Sequence, residues 1–369
     1  MTRRRLSVLQ GYQDPARTGY MNPYKVQLID SLPSDEVDAR YFRWRTALLS
    51  RVDVLHLHWP EQLLRGSSRL GTYGKYALTT LLLTRVRLGR TVIVRTVHNV
   101  RPHEAASRPE RWLLARFDAL TSVWVIMNDT TPTPDPSRTV LIPHGHYRDW
   151  YTTDPAAQPQ RGLLLTFGLL RGYKGVEPFL KAFRSMPSDA SLSLVVAGRP
   201  ETAATGETIA GLAADDSRID VQLRFIDDDE LTARIQRAEM IVLPYRSMHN
   251  SGSALLALSL NRPIIVPSTS ATEKLVEEFG AAWVITYEGD LDEATLGAAI
   301  EAVRSRARSA DGVDMSARDW SALGRRLAAV YHEAFARRRE GPGASASSSP
   351  PSTGAGSLQR TAPGRSADT

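Results

Sequence analysis

Apolar, β-branched runs alternate with helical patterns from one end of the chain to the other. In the first half the runs are RLSVLQ (5–10), VDVLHLHW (52–59), TVIVRTV (91–97), SVWVIM (122–127) and TVLIP (139–143). In the second half they are LLLTFG (163–168), SLSLVVAG (191–198), IDVQLRF (219–225), MIVLP (240–244), PIIVP (263–267) and AWVIT (282–286). Short apolar runs bounded by turn residues and separated by amphipathic stretches predict βα units that build parallel sheets. Two such series predict an α/β protein with two Rossmann-like domains, at 1–150 and 161–316. The stretch HGHYRDWYTTDPAAQPQRG (144–162) has no periodicity and is read as the linker. A closing helix is expected over 317–339. The Pro/Gly/Ser/Ala tract of 340–369 cannot bury enough apolar surface to offset chain entropy, and is expected to be a disordered tail.

Composition sharpens this picture in three ways. The chain has 369 residues, 42% of them hydrophobic, which is enough for two cores. It has no cysteine, which excludes disulfides, thiolate ligands and cysteine nucleophiles and fits a reducing compartment. No run reaches the roughly 18 apolar residues of a membrane span, and the apolar run after MTRRR is too short for a signal peptide. A cytoplasmic protein is expected, peripheral at most to the inner face of the cell membrane.

The net charge of +6 is unevenly spread. Residues 1–118 carry 20 Lys/Arg against 10 Asp/Glu, and residues 119–369 carry 26 against 30. The basic half suggests an anionic partner, either a membrane surface or nucleic acid. TYGKYALTTLLLTRVRLGR (72–90) sets leucines on one helical face with Lys75, Arg85, Arg87 and Arg90 near others, a pattern that suits an anionic bilayer. An ordinary surface helix would read the same way.

Candidate chemistry begins at LLLTFGLLRGYKG (163–175), where a strand ends at Gly168 and Arg171 and Lys174 follow in one loop. Ligands of open α/β sheets bind beyond the carboxyl ends of strands, where basic side chains and helix N-termini favour anions. A second strand–turn–helix, MIVLPYRSMHNSGSALLAL (240–258), places Asn250, Ser251, Gly252 and Ser253 at a helix start. Backbone amides there can hold a phosphate, although a plain N-cap by Asn250 or Ser251 uses the same residues. In FIDDDELTARI (225–235) the aspartates fit a helix cap better than a metal site.

The segments FGLLRGYKG, LVVAGRP, DDDELTARIQRAEMIVLPY and SGSALLALSLNRPIIVP, in this order over roughly 163–290, resemble the donor domain of GT-B nucleotide-sugar glycosyltransferases. The resemblance implies two Rossmann-like domains facing across a cleft and a nucleoside diphosphate sugar as co-substrate, with no metal cofactor. Arg171 and Lys174 would hold the donor diphosphate, and Ser251, Gly252 and Ser253 would add amides. Many retaining members carry two glutamates eight positions apart in this region. Alignment on Arg262-Pro263 puts Met248 and Leu256 in their places, so a retaining template loses its acids.

Six of the eight histidines follow strands of the first half, in VDVLHLHWPE, TVHNVRPHE and IPHGHY. The His56-x-His58 alternation also occurs in zinc hydrolases, so a metal-dependent hydrolase is one alternative function and a non-catalytic nucleic-acid binder another. NPY (22–24), HWPE and HN..PHE are similar to acceptor domains of bacterial exopolysaccharide glycosyltransferases of the xanthan mannosyltransferase type. That likeness implies a hexosyltransferase acting on a membrane-associated glycolipid or polysaccharide, with GDP-mannose as the suggested donor and no nucleic acid partner. His98 would face the donor sugar, and an inverting reaction would draw its base from His98, Glu104 or Glu61.

Overall fold

The computed structural model describes residues 4–14, 22–98, 107–188, 191–246 and 248–340. Of the tail expected at 340–369, Glu340 ends the last helix and residues 341–369 lie outside the described residues, as does the candidate Glu104. Two six-stranded sheets form, and every strand pairing is parallel.

The first sheet has strands β1 (Leu6–Gln10), β2 (Val37–Tyr41), β3 (Val54–Leu57), β4 (Val92–Val97), β5 (Thr121–Ile126) and β6 (Thr139–Leu141) in the order β2-β1-β3-β4-β5-β6. Its helices are α1 (Pro23–Asp30), α2 (Trp44–Leu49), α3 (Arg69–Leu88) and α4 (Arg108–Leu120). The second sheet has β7 (Gln160–Phe167), β8 (Ser193–Ala197), β9 (Ile219–Gln222), β10 (Ala238–Val242), β11 (Ile264–Pro267) and β12 (Val284–Tyr287) in the order β12-β11-β10-β7-β8-β9. Around it lie α5 (Val176–Ser185), α6 (Ala203–Ala213), α7 (Asp228–Arg237), α8 (Gly252–Ser259), α9 (Ser270–Phe279) and α10 (Glu293–Ser305). In each sheet the strand order reverses once, between β1 and β3 and between β7 and β10. Those two reversals are where a doubly wound sheet opens a crevice for ligands.

A last helix, α11 (Trp320–Glu340), follows the second sheet in sequence but packs on the first. Trp320, Leu323, Tyr331 and Phe335 are buried in one core with Leu6, Val8, Val94 and Tyr24. This is the expected closing helix, and it ties the ends of the described chain together.

Two elements differ from the sequence reading. β2 was not anticipated, because VDARY buries only Val37 on a sheet edge and its charged residues break the apolar run. The linker is also better packed than its composition suggests, since Tyr147 and Tyr151 are buried against the second domain. At α7 the expected cap is present: the Asp227 carboxylate accepts from the Glu230 amide at 2.9 Å. Among the described residues no helix is long and apolar enough to cross a membrane.

Candidate active site

On the second-domain side, the crevice between β7 and β10 is built by two glycines and a short loop. Gly168 has φ of 104°, a left-handed value that turns the chain out of β7 at no steric cost. Gly175, with φ of 65°, lets the loop lie against the exit of β10, where any Cβ would stand 2.0 Å from the Pro244 carbonyl oxygen. Between them, Lys174 ends a single 3₁₀ turn and is buried. Its ammonium is 5.1 Å from the centre of the Tyr245 ring and packs beside Gly168, where the Ser253 hydroxyl also approaches.

At the start of α8, Ser251 is the N-cap and accepts from the Ala254 amide at 3.2 Å. Helix geometry leaves the amides of Gly252 and Ser253 without intrahelical acceptors. The Tyr245 hydroxyl is buried and has no hydrogen-bond partner among the described residues. Lys174, the Ser253 hydroxyl and the free amides at the start of α8 thus stand at one corner beside the Tyr245 ring, an arrangement suited to an anion.

Arg171 is not brought there. Its guanidinium pairs with Glu201 at 3.0 Å and lines a separate groove of about 120 Å³ with Pro178, Thr205 and Arg246. Asn250 is used differently again. It spans the cleft, accepting from Asn128 Nδ2 at 2.6 Å and donating to the His98 carbonyl at 3.0 Å.

The first-domain side is an aromatic and imidazole cluster at the β1/β3 reversal. His98 follows β4 and stacks on Trp59, with ring centres 4.0 Å apart. Tyr24 meets the edges of His58 and His98 and tilts against His144 and Trp320. Lys25, one residue on, holds its ammonium over Tyr12 and Trp59 at 5.0 and 4.9 Å. Burial pushes the imidazoles to the neutral form, to about 3 for His56 and about 4 for His144. His98 lies well below its ordinary value, first through burial and then through His144, His56 and Lys25.

Glu61 sits in the 3₁₀ turn Pro60–Leu63, where its charge acts on Arg95, which pairs with Asp118. Of the three proposed bases, only His98 is placed in the cluster by the described structure. His56 and His58 spend their ring nitrogens on hydrogen bonds to Thr96, Tyr331, Gln10 and His98. Among the described residues no group of three His, Cys, Asp or Glu side chains could hold a metal ion.

Between the two sides is a cavity of about 260 Å³, lined by Asn128, His144, His249, Asn250, Ser251, Lys274, Glu278 and Arg318. The acids near it are engaged: Glu278 pairs with Arg318 at 2.6 Å, and Asp129 lies 3.6 Å from Lys274. Met248 and Leu256, where retaining relatives would carry glutamates, are both buried in the apolar core of the second domain. The sequence reading missed Lys25, Asn128 and Arg318. Lys25 adjoins the NPY motif, but nothing local tells it from a surface lysine.

No family model matches the chain. A curated relative from Xanthomonas campestris pv. campestris, a GDP-mannose:glycolipid 4-β-D-mannosyltransferase, is 43% identical over 333 residues, covering 90% of this chain and 94% of the relative. Among solved structures, sucrose-phosphate synthase from Thermosynechococcus elongatus superposes with a TM-score of 0.60 at 15% identity, over 90% of this chain and all of that one. Anabaena HepE in complex with UDP-glucose gives a TM-score of 0.56 at 12% identity, over 90% and 98% of the two chains. The structures establish the GT-B architecture, and the mannosyltransferase likeness replaces the hydrolase and nucleic-acid alternatives. With that identity across nearly its whole folded length, the chain belongs to the GDP-mannose:glycolipid mannosyltransferase family of glycosyltransferases.

Proposed function

We propose that the protein transfers mannose from GDP-mannose to a hydroxyl of a membrane-associated glycolipid, with inversion to a β-linkage. The observation that carries this reading is the facing of two unlike sites: an anion corner around Lys174 and an imidazole cluster around His98, joined through Asn250. The donor diphosphate would sit on Lys174 and the amides of Gly252 and Ser253. Donors set in advance against the departing charge stabilise it without reorganising as the bond breaks. His98 would accept the proton of the acceptor hydroxyl while that oxygen bonds to the anomeric carbon. The bond from that carbon to the diphosphate oxygen breaks, and GDP leaves with the electron pair. The unloaded imidazole is a weak base, partly because Lys25 lies nearby. A bound diphosphate would offset that positive charge and raise its basicity. Loss of carboxylates at Met248 and Leu256 favours inversion over the retaining route.

The test is a thermal-shift panel of GDP-, UDP- and dTDP-sugars followed by NMR of the product. GDP-mannose at 100 times its Kd should stabilise the fold by roughly 2.7 kcal/mol. Stabilisation by UDP-sugars alone would rule out the donor, and an α-linked product would rule out inversion.

The acceptor's lipid calls for a membrane face, for which α3 is the best candidate. Leu70, Tyr73, Leu81 and Leu88 form a stripe along its outer side, with Leu70 and Leu88 more than 80% exposed. Trp112 on α4 and Leu49 at the end of α2 are exposed as well. The basic residues differ from the sequence expectation. Lys75 donates to the Arg65 carbonyl, and Arg85 donates to the carbonyls of Ala47 and Ser50. Arg87 and Arg90 are the exposed cations at the end of the stripe. Apolar insertion flanked by arginines suits a peripheral helix on an anionic leaflet.

A further inference from the structure

Behind His98 runs an unbroken chain of buried hydrogen bonds that the reaction as proposed does not use. Thr96 Oγ1 lies 2.8 Å from His56 Nε2, and His56 Nδ1 lies 2.6 Å from the Tyr331 hydroxyl. That hydroxyl is 3.2 Å from Gln10 Nε2, and Gln10 Oε1 is 3.2 Å from His58 Nε2. His58 Nδ1 is then 2.9 Å from His98 Nε2. Thr96, His56, Tyr331, Gln10 and His58 are each at most 3% exposed. Each link needs one donor and one acceptor, every imidazole is neutral, and the buried Tyr331 hydroxyl must also place its own proton in the chain, so the chain can be satisfied in two ways only, of opposite direction.

The short contact at Tyr331 selects between them. A phenol is the stronger donor and a neutral imidazole nitrogen the stronger acceptor, so Tyr331 donates to His56 Nδ1 and accepts from the Gln10 amide. Gln10 must then offer its oxygen to His58, which places a proton on His58 Nε2 and a lone pair on His58 Nδ1. His98 consequently donates from Nε2, and its own lone pair resides on Nδ1. Among the described residues Nδ1 has no hydrogen-bond partner. In the reverse direction His98 would carry its proton on Nδ1 and could not act there as a base.

We propose that Tyr331 is a positioning residue: its hydroxyl, acting through Gln10 and His58, fixes His98 in the tautomer whose Nδ1 is free to accept a proton. The catalytic meaning of this device rests on the reading of His98 as the base, whereas the tautomer itself does not. Because Tyr331 lies on α11, the docking of the closing helix on the first domain also sets the protonation pattern at the cleft. The His-x-His spacing of His56 and His58 acquires a reason as well. His58 continues the alternation of β3 one residue beyond its end, with its ring centre 4.2 Å from that of His56, so both imidazoles reach the Tyr331–Gln10 pair.

The test is ¹⁵N NMR of the histidine-labelled full-length protein, which distinguishes the two neutral tautomers, combined with kinetics of Tyr331→Phe. In the unmodified protein His98 should be protonated at Nε2 and bare at Nδ1. The opposite tautomer there would overturn the proposal whether or not any variant folds. In Tyr331→Phe the ring still fills the core while the donor to His56 is gone, so the chain can reverse. Loss of one such bond changes the ratio of the two tautomers by about tenfold. The Nδ1-protonated form should therefore appear in comparable amount, and kcat should fall by about twofold, in proportion to the His98 that keeps a bare Nδ1, with KM for GDP-mannose unchanged. An unaltered tautomer in a folded Tyr331→Phe protein would also overturn the proposal. A shifted tautomer with unchanged kcat would support the relay and refute His98 as the base.

Discussion

The side-chain amide of Asn250 donates to the main-chain carbonyl of His98 at 3.0 Å, across the cleft between the two domains. The same side chain accepts from Asn128, so the turn that opens α8 is held in register with the imidazole cluster. Donor corner and candidate base are therefore positioned against each other by one residue. Asn250→Ala should raise KM for the donor and lower kcat, each by about three- to tenfold, as expected from losing one or two bonds of roughly 0.5–1.5 kcal/mol. Steady-state kinetics with unchanged circular dichroism would check this. Native kinetics in the variant would mean that the contact does no more than follow closure.

The two cations of the 168–175 loop should behave differently. Lys174 is buried beside Ser253 and Gly168, and Arg171 is paired with Glu201. Lys174→Ala should weaken GDP binding by about 1.5–3 kcal/mol, the range for a charge-assisted bond. Arg171→Ala should cost under about 1 kcal/mol, because an exposed pair is worth little. Isothermal titration calorimetry with GDP decides, and the reverse order of effects would move the diphosphate to the Arg171 groove.

The strands around both reversals were legible as apolar runs, and so were the turns that follow them. Ser251 capping α8 and Asp227 capping α7 follow from local chemistry, which a sequence displays directly. The fate of Arg171 and Arg85 was not legible. Each sits in a basic stretch, and only folding decides whether a guanidinium faces a ligand, a carboxylate such as Glu201 or a row of carbonyls. The histidine relay was hidden for a related reason. His56 and His58 showed a spacing, but their partner Tyr331 is 275 residues from His56 and lies on a helix that returns to the first sheet. Long-range polar contacts of this kind leave no local pattern.

The proposed membrane attachment should depend on the leucines of α3 more than on Arg85. Leu81→Glu with Leu88→Glu places two charges on the exposed stripe and should abolish pelleting with vesicles containing anionic lipid, while leaving the fold intact. Arg85→Glu should instead destabilise the protein, since its guanidinium caps carbonyls at Ala47 and Ser50. Co-sedimentation beside thermal melts separates the two effects. Full vesicle binding by the double leucine variant would place the membrane face elsewhere.

Acid should unfold the protein through its buried histidines before most carboxylates titrate. His56 and His144 have folded-state pKa values of about 3 and about 4, both lowered chiefly by burial, against about 6.5 when unfolded. Between those limits the unfolded chain binds more protons than the folded one, so stability rises with pH there. The contribution is complete above about pH 6.5 and is lost progressively as pH falls. One unit below 6.5, each residue should cost about 1.4 kcal/mol, or roughly 3 kcal/mol for the two together. His58 and His98, also held well below their ordinary value by burial, add to the same loss, so urea unfolding at pH 7.5 and 5.5 should show a difference of at least that size. His144→Gln keeps a polar side chain beside the Gly145 carbonyl and the Tyr147 hydroxyl but cannot titrate, so it should remove its own share of the pH dependence, about 1.4 kcal/mol. Equal stability at the two pH values would show that these imidazoles already accept protons in the folded protein, and the neutral relay behind His98 would then lose its footing.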